Sequence, residues 1–265
     1  MLTINQIRNF YPGFGADAQT SIHILKEYVE LMVLDFLSGS KYVGKLCFIG
    51  GTSLRLIKGI DRFSEDLDFD CKNFSEEFFQ EMTDDVIRFL QRNGLPATPK
   101  EKESDQLTAY RRTITFPEYL YSLGLASEAE RNRKFILKIE AQDQGVPYTK
   151  ETALISMDGF HFSIPVPSVN TLCSMKLSAI LNRAKGRDFY DSLFLMQMSQ
   201  PDYAYLGAKE GIADAAALRN AMSSKLAATD LNMKARDFEY LILNKNKASV
   251  VLDYGTFFDT WLENQ

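Results

Sequence analysis

The chain has 265 residues, 45% of them hydrophobic, a formal net charge of −5 and a pI near 5.3. That length and apolar content suffice for a full core, in one large domain or two modest ones. The acidic balance excludes nucleic-acid binding through bulk positive charge and leaves only local basic patches. Cys47, Cys71 and Cys173 are few, odd in number and far apart, with only His23 and His161 to assist them, so buried thiols are expected rather than a zinc site.

The N-terminus lacks a basic region followed by an apolar one, and no apolar run reaches the roughly 18 residues of a membrane span, so a cytoplasmic location without membrane contact is expected. In chain order, "SIHILKEYVELMVLDFLSG" carries a helical apolar period closed by Gly39. "KLCFIGG" reads as a short strand, "TSLRLIKG" as a two-turn helix stopped by Gly59, and "DLDFD" as a second strand. "SEEFFQEMTDDVIRFLQRNG" predicts a helix capped by Ser75 and ended by Gly94. "TAYRRTITF" and "RKFILKIEAQD" predict strands able to pair as neighbours. Pro165 and Pro167 in "SIPVPSVN" mark an extended connection, after which the sequence is almost entirely helical, so domains of 1–165 and 166–265 are expected.

Chemistry concentrates in "FIGGTSLRLIKGIDRFSEDLDFD", Phe48 to Asp70. Residues two apart on a strand share a face, so Asp66 and Asp68 project together while Leu67 and Phe69 enter the core. Two such carboxylates repel unless a cation lies between them, and Mg²⁺ suits hard oxygen ligands that leave room for waters and phosphates. A half-buried strand with a solvated polar face would show the same alternation. Asp70 falls too far along the strand to share that ion. The Gly50-Gly51-Thr52 turn after an apolar strand lets backbone approach a phosphate and aims amide groups and the Thr52 hydroxyl at it. A third acid, Glu140, lies on the polar face of "RKFILKIEAQD" with Ile136 and Lys138, opposite Phe135, Leu137, Ile139 and Ala141. Three carboxylates (Asp66, Asp68, Glu140) holding two metal ions fit in-line nucleotidyl transfer, with Glu140 also placed to act as a base.

Further on, "TLCSMKLSAILNRAKGRD" read as one helix puts Lys176, Arg183, Arg187 and Asp191 on one side and Lys185 away from it. If Gly186 instead breaks the helix, Asp188 and Asp191 fall in the first turn of a second one, where acids suit the helix dipole. Both geometries remain open from the sequence.

"GGTSLRL" followed by "RFSEDLDF", with the later "KLSAILNRAKGRDFYDSLFL", resembles the AbiEii/AbiGii toxin family of the polymerase-beta-like nucleotidyltransferase superfamily, over residues 48 to 195. The resemblance implies an α+β fold: a nucleotidyltransferase domain of mixed sheet with flanking helices, followed by a mostly helical C-terminal domain. It implies transfer of a nucleotide from an NTP, with Mg²⁺ or Mn²⁺, to an acceptor of the tRNA class, in a toxin-antitoxin or abortive-infection setting with a cognate antitoxin. Asp66, Asp68, Glu140, Lys176 and Asp191 are the implied catalytic residues. The implied nucleotide contacts are Gly50, Gly51, Thr52, Ser53, Arg62, Ser64, Lys138, Lys176, Arg183, Arg187 and Asp188, with Lys176 on the phosphates. Two other readings are a small-molecule or antibiotic nucleotidyltransferase and a non-catalytic NTP-binding protein. An RNA acceptor needs a basic path, for which "YRRT", "RNRK", "NRAKGR" and "KARDFEYLILNKNK" are candidates, and a localised groove between the domains is expected. Leu218, Leu226, Leu231, Phe238, Leu241 and Ile242 near the C-terminus are expected mainly as core.

Overall fold

The computed structural model describes residues 3–12, 14, 15, 17–100 and 109–265, and the side chains of Lys245 and Asn246 lie outside that description. The chain groups into two units: Met1–Ile57 with Ser64–Gln144 and Thr152–Val166, and Lys58–Phe63 with Gly145–Glu151 and Pro167–Gln265. The second unit thus draws in two short segments from ahead of residue 165. Hydrogen bonds explain why: Phe63 N donates to Leu241 O, Leu243 N to Asp61 O and Ser168 N to Thr149 O.

In the first unit, a short helix α1 (Ile4–Arg8) precedes α2 (Ala18–Ser38), which Asp17 caps by accepting from Thr20 N. Strand β1 (Leu46–Ile49) leads directly into α3 (Gly50–Ser53), which continues as a wider π-helical turn over Leu54–Lys58 and stops at Gly59, φ +74°. There follow β2 (Asp66–Cys71), α4 (Glu76–Arg92), β3 (Thr98–Pro99), β4 (Tyr110–Thr115), the short α5 (Tyr119–Ser122) and β5 (Ile136–Gln142). Thr108, the first residue expected in the β4 strand, lies outside the described residues.

Among the described residues these strands form one mixed sheet in the order β1-β2-β5-β4-β3. β2 and β5 are parallel, and the other neighbours are antiparallel. Period-two burial sends Leu67, Phe69, Leu137 and Ile139 into the core. Helix α2 buries Val29, Val33 and Leu37, and its Phe36 stacks on Phe89 of α4 with centroids 4.7 Å apart. The backbone at Pro165 and Pro167 is extended as expected, but as the end of a strand rather than a free connection: β7 (Phe160–Pro167) pairs with β6 (Lys150–Met157) in a two-stranded hairpin. Its turn is Asp158-Gly159, with φ of +55° and +86°, the backbone that a two-residue hairpin turn demands.

The second unit contains α6 (Val169–Asn182), α7 (Gly186–Met196), α8 (Tyr203–Glu210), α9 (Ala215–Ala227), α10 (Leu231–Arg236) and α11 (Tyr254–Glu263). Leu177, Phe189, Leu206, Leu218, Met222 and Phe258 make its core. Of the C-terminal apolar residues expected inside, Leu218, Phe238, Leu241 and Ile242 are buried, while Leu226 and Leu231 are half exposed. No helix among the described residues is long and apolar enough to cross a membrane. All three cysteines are buried, and burial pushes the Cys173 thiol up to about 12.

Candidate active site

Parallel pairing of β2 with β5 sets Asp66 opposite Lys138 and Asp68 opposite Glu140. With the intervening residues in the core, all four polar side chains occupy the other face. Lys138 Nζ lies 3.5 Å from Asp66 Oδ1, close enough to offset charge, yet that buried oxygen has no hydrogen-bond partner among the described residues.

The turn after β1 meets this face. Gly50 takes φ +80°, and a Cβ on it would lie 2.2 Å from Asp68 Oδ2, so glycine is needed both for the backbone and for the approach of the carboxylate. The following helix start presents first-turn N–H groups. Ser53 is 1% exposed, and its hydroxyl has no hydrogen-bond partner among the described residues. Thr52, expected to face phosphate, is fully buried and donates instead to Asp66 O at 2.6 Å, which pins the turn to β2. Ser64 is buried beside Glu65, and Asp70 is buried at 0% exposure, accepting from Gln144 N at 2.8 Å.

The expected three-carboxylate metal set is not assembled. Among the described residues no three His, Cys, Asp or Glu are grouped to hold a metal ion. Glu140 Oε1 is instead 2.8 Å from Arg111 Nε, an ion pair whose angle is too poor for a hydrogen bond. The remaining pair still fits a hard divalent cation: Asp66 and Asp68 share a strand face, and Asp66 Oδ1 has an unused lone pair.

Glu30 on α2, which sequence reasoning passed over, is 1% exposed, and its Oε1 has no hydrogen-bond partner among the described residues. Burial, reinforced by Glu27, Asp66 and Glu65 and only partly offset by Lys26, raises its carboxyl well above the ordinary range. The signal was present in "KEYVELMV", where charged residues interrupt a helix that is apolar all round. Neighbouring Glu27 takes Arg55 Nε at 2.8 Å and so ties α2 to the helix after the glycines.

In the second unit the helix breaks at Arg183–Lys185, where Ala184 has φ +48°, and a second helix, α7, begins at Gly186, with Asp188 in its first turn and Asp191 beyond it. A Cβ on Gly186 would lie 1.8 Å from Lys234 O, and its N–H donates to both Asp237 oxygens at 3.0 and 3.1 Å. The break lets α6 and α7 face each other. Lys176 Nζ is 2.7 Å from Asp191 Oδ2 and 3.7 Å from Asp188 Oδ1. Arg62 grips Asp191 with Nε and Nη2, each at 2.6 Å, and both side chains are fully buried. Arg183 grips Asp188 in the same two-pronged way, at 2.9 and 2.8 Å. Burial alone would raise the Asp191 carboxyl, but Arg62 and Lys176 outweigh it and hold it at about 2. Asp188 is likewise lowered, Arg183 and Lys176 outweighing burial.

The sequence matches the model of the family described as nucleotidyl transferase AbiEii toxin, type IV toxin-antitoxin system, over residues 33–254. The chain belongs to the AbiEii nucleotidyltransferase toxin family. MenT4, a nucleotidyltransferase toxin from Mycobacterium tuberculosis H37Rv, is similar in fold at 18% identity and a TM-score of 0.63, covering 100% of this chain and 91% of its own. JHP933 from Helicobacter pylori is similar at 17% identity and a TM-score of 0.52, covering 91% and 92%. No curated protein matches the sequence.

Within this AbiEii chain the expected residues therefore fall into two groups. Gly50, Gly51, Ser53, Asp66, Asp68, Lys138 and Glu140 belong to the first unit, and Lys176, Arg183, Arg187, Asp188 and Asp191 to the second. Arg62, expected on the nucleotide, is enclosed against Asp191 and reaches Lys176 only through it. Five arginines of the first three basic segments form ion pairs within the chain: Arg111 with Glu140, Arg112 with Asp84, Arg131 with Glu118, Arg133 with Glu130 and Arg183 with Asp188. Arg187 is half exposed and has no ion pair among the described residues.

Gly50→Ala is expected to force Asp68 aside and to cost about 1–3 kcal/mol of backbone strain. Chemical denaturation and NTP binding check it. A variant with wild-type stability and affinity would show that the glycine is not needed there.

Proposed function

We propose that this family member transfers a nucleotide from an NTP to an acceptor hydroxyl in a divalent-metal-dependent reaction, with tRNA as the acceptor class. The observation that carries the reading is the Asp66–Asp68 pair packed against the Gly50–Ser53 turn. Mg²⁺ or Mn²⁺ held by Asp66 and Asp68 would neutralise triphosphate charge and lower the pKa of the attacking hydroxyl. The chain's own groups do the positioning. The turn's N–H groups and the unpartnered Ser53 hydroxyl receive phosphate oxygens, and Gly50 allows Asp68 to lie against that turn. Lys138 moderates the charge on Asp66, and Arg111 orients Glu140. In the second unit Asp188 and Asp191 present Lys176, and Arg187 offers a cation for a phosphate or an RNA backbone. The tRNA class rests on the family resemblance, with Arg187 as its local support.

Incubation of the full chain with each α-labelled NTP, Mg²⁺ and total tRNA is expected to label RNA. Label on small molecules alone would assign a small-molecule acceptor, and tight NTP binding without transfer would make this a binding protein. As a toxin, the active enzyme is expected to slow a bacterial host when expressed alone, with relief by a cognate antitoxin. Unimpaired growth under strong expression of active enzyme would oppose toxicity.

A further inference from the structure

The second unit carries a cleft that the nucleotidyl-transfer reading does not use. It runs along one face of α7, where Tyr190, Leu193, Phe194 and Gln197 recur at helical spacing, and has a volume of about 670 Å³. Asp61 and the segment Lys247–Asp253 form its other walls. Through Leu193, Gln197 and Val250 it continues into a groove of about 370 Å³ against Phe257 and Trp261 of α11.

The two ends differ in chemistry. At the first, Asp61 accepts from Tyr190 Oη at 2.5 Å and from the Lys247 ammonium, and Asp253 is exposed with no ion pair among the described residues. At the second, Met196, Phe257 and Trp261 give an apolar lining, with Phe257 48% exposed.

That arrangement selects its occupant. Among the described lining residues, two carboxylates against one ammonium disfavour an anion. A compact apolar ligand would leave the acidic end unused, and a small cation would leave the apolar end uncovered. Tyr190 to Gln197 span about 10 Å of helix axis, and the α11 groove extends the path, a length that suits two or more turns of a docked helix with anchors at i, i+3 or i+4, and i+7. Lys247 on Asp61 shows within the chain itself how an alkylammonium sits at the acidic end.

We propose that this cleft docks a basic amphipathic helix from a protein partner, its apolar residues against Phe257 and Trp261 and a lysine or arginine at Asp253. Occupancy would act on the buried clamp by a short path, because Tyr190 and Asp61 are the chain neighbours of Asp191 and Arg62. The proposal does not depend on the acceptor or on transfer, since its readout is binding.

The test uses the full chain and a panel of labelled amphipathic peptides of about 18 residues, long enough to hold a helix, bearing leucine and phenylalanine on one face and lysine on its flanks. Charge-reversed twins carry glutamate in place of lysine. The lysine peptides are expected to bind saturably, and Asp253→Lys or Phe257→Ser each to weaken them about tenfold or more. Both side chains are exposed, so unchanged thermal melting checks that the variants are folded. No saturable binding, equal binding of the twins, or indifference to both substitutions would overturn the proposal. Concentration-dependent dimerisation in light scattering that Phe257→Ser abolishes, without peptide binding, would assign the groove to a second copy of this chain.

Discussion

Asp68→Asn is expected to lower nucleotidyl transfer by about 1,000-fold or more, the rate equivalent of several kcal/mol of lost charge stabilisation. The substitution keeps the side chain's shape against Gly50 and removes the charge that a divalent ion requires. Stability should change by only about 0.5 kcal/mol, because Asp68 is half buried and lies on the polar face of β2. Glu140→Gln should do less, about 10- to 100-fold, since Glu140 is already engaged by Arg111. Single-turnover rates on labelled NTP with saturating Mg²⁺ separate the two. A fully folded Asp68→Asn enzyme that keeps a tenth of wild-type activity would remove Asp68 from the chemistry.

The largest effect on stability is expected at Arg62. Arg62→Ala leaves the fully buried Asp191 with Lys176 as its remaining cation, and breaking such a pair costs about 3–5 kcal/mol. Chemical denaturation with a probe in the second unit measures it, and a loss below about 1 kcal/mol would show that the clamp does not hold α7. Replacing both partners together, Arg62→Met with Asp191→Leu, should cost less than Arg62→Ala alone, because no orphaned charge remains. The pH dependence follows from the same carboxyl. Its pKa falls from 3.8 unfolded to about 2 folded, so its contribution is present above pH 3.8 and is lost as pH falls through about 2. That contribution is about 2 kcal/mol. The Arg62→Ala variant should lose part of this acid sensitivity.

Local periodicity made much of the fold legible. Alternation in "DLDFD" and "RKFILKIEAQD" gave the faces of β2 and β5, and the caps at Ser75 and Gly59 gave helix ends. The hairpin of β6 and β7 was missed although Asp158-Gly159 is a strong turn signal, because Pro165 and Pro167 argued for a connector. Both prolines are tolerated because a two-stranded sheet leaves every strand at an edge. The roles of Thr52 and Arg62 were not legible for a different reason. A hydroxyl in a glycine turn suits phosphate or a backbone carbonyl equally, and packing onto β2 decides for the carbonyl. Arg62 and Asp191 are far apart in sequence, so no spacing rule pairs them. Glu140 was correctly placed on the polar face of β5, but its capture by Arg111 depends on the β4 register, which only folding fixes.

Paired reactions with α-labelled and γ-labelled NTP, Mg²⁺ and total tRNA test the central claim most directly. Nucleotidyl transfer predicts α-label on the acceptor, γ-label in released pyrophosphate, and loss of both with Asp68→Asn. γ-Label on the acceptor, or α-label transfer untouched by Asp68→Asn, would contradict it.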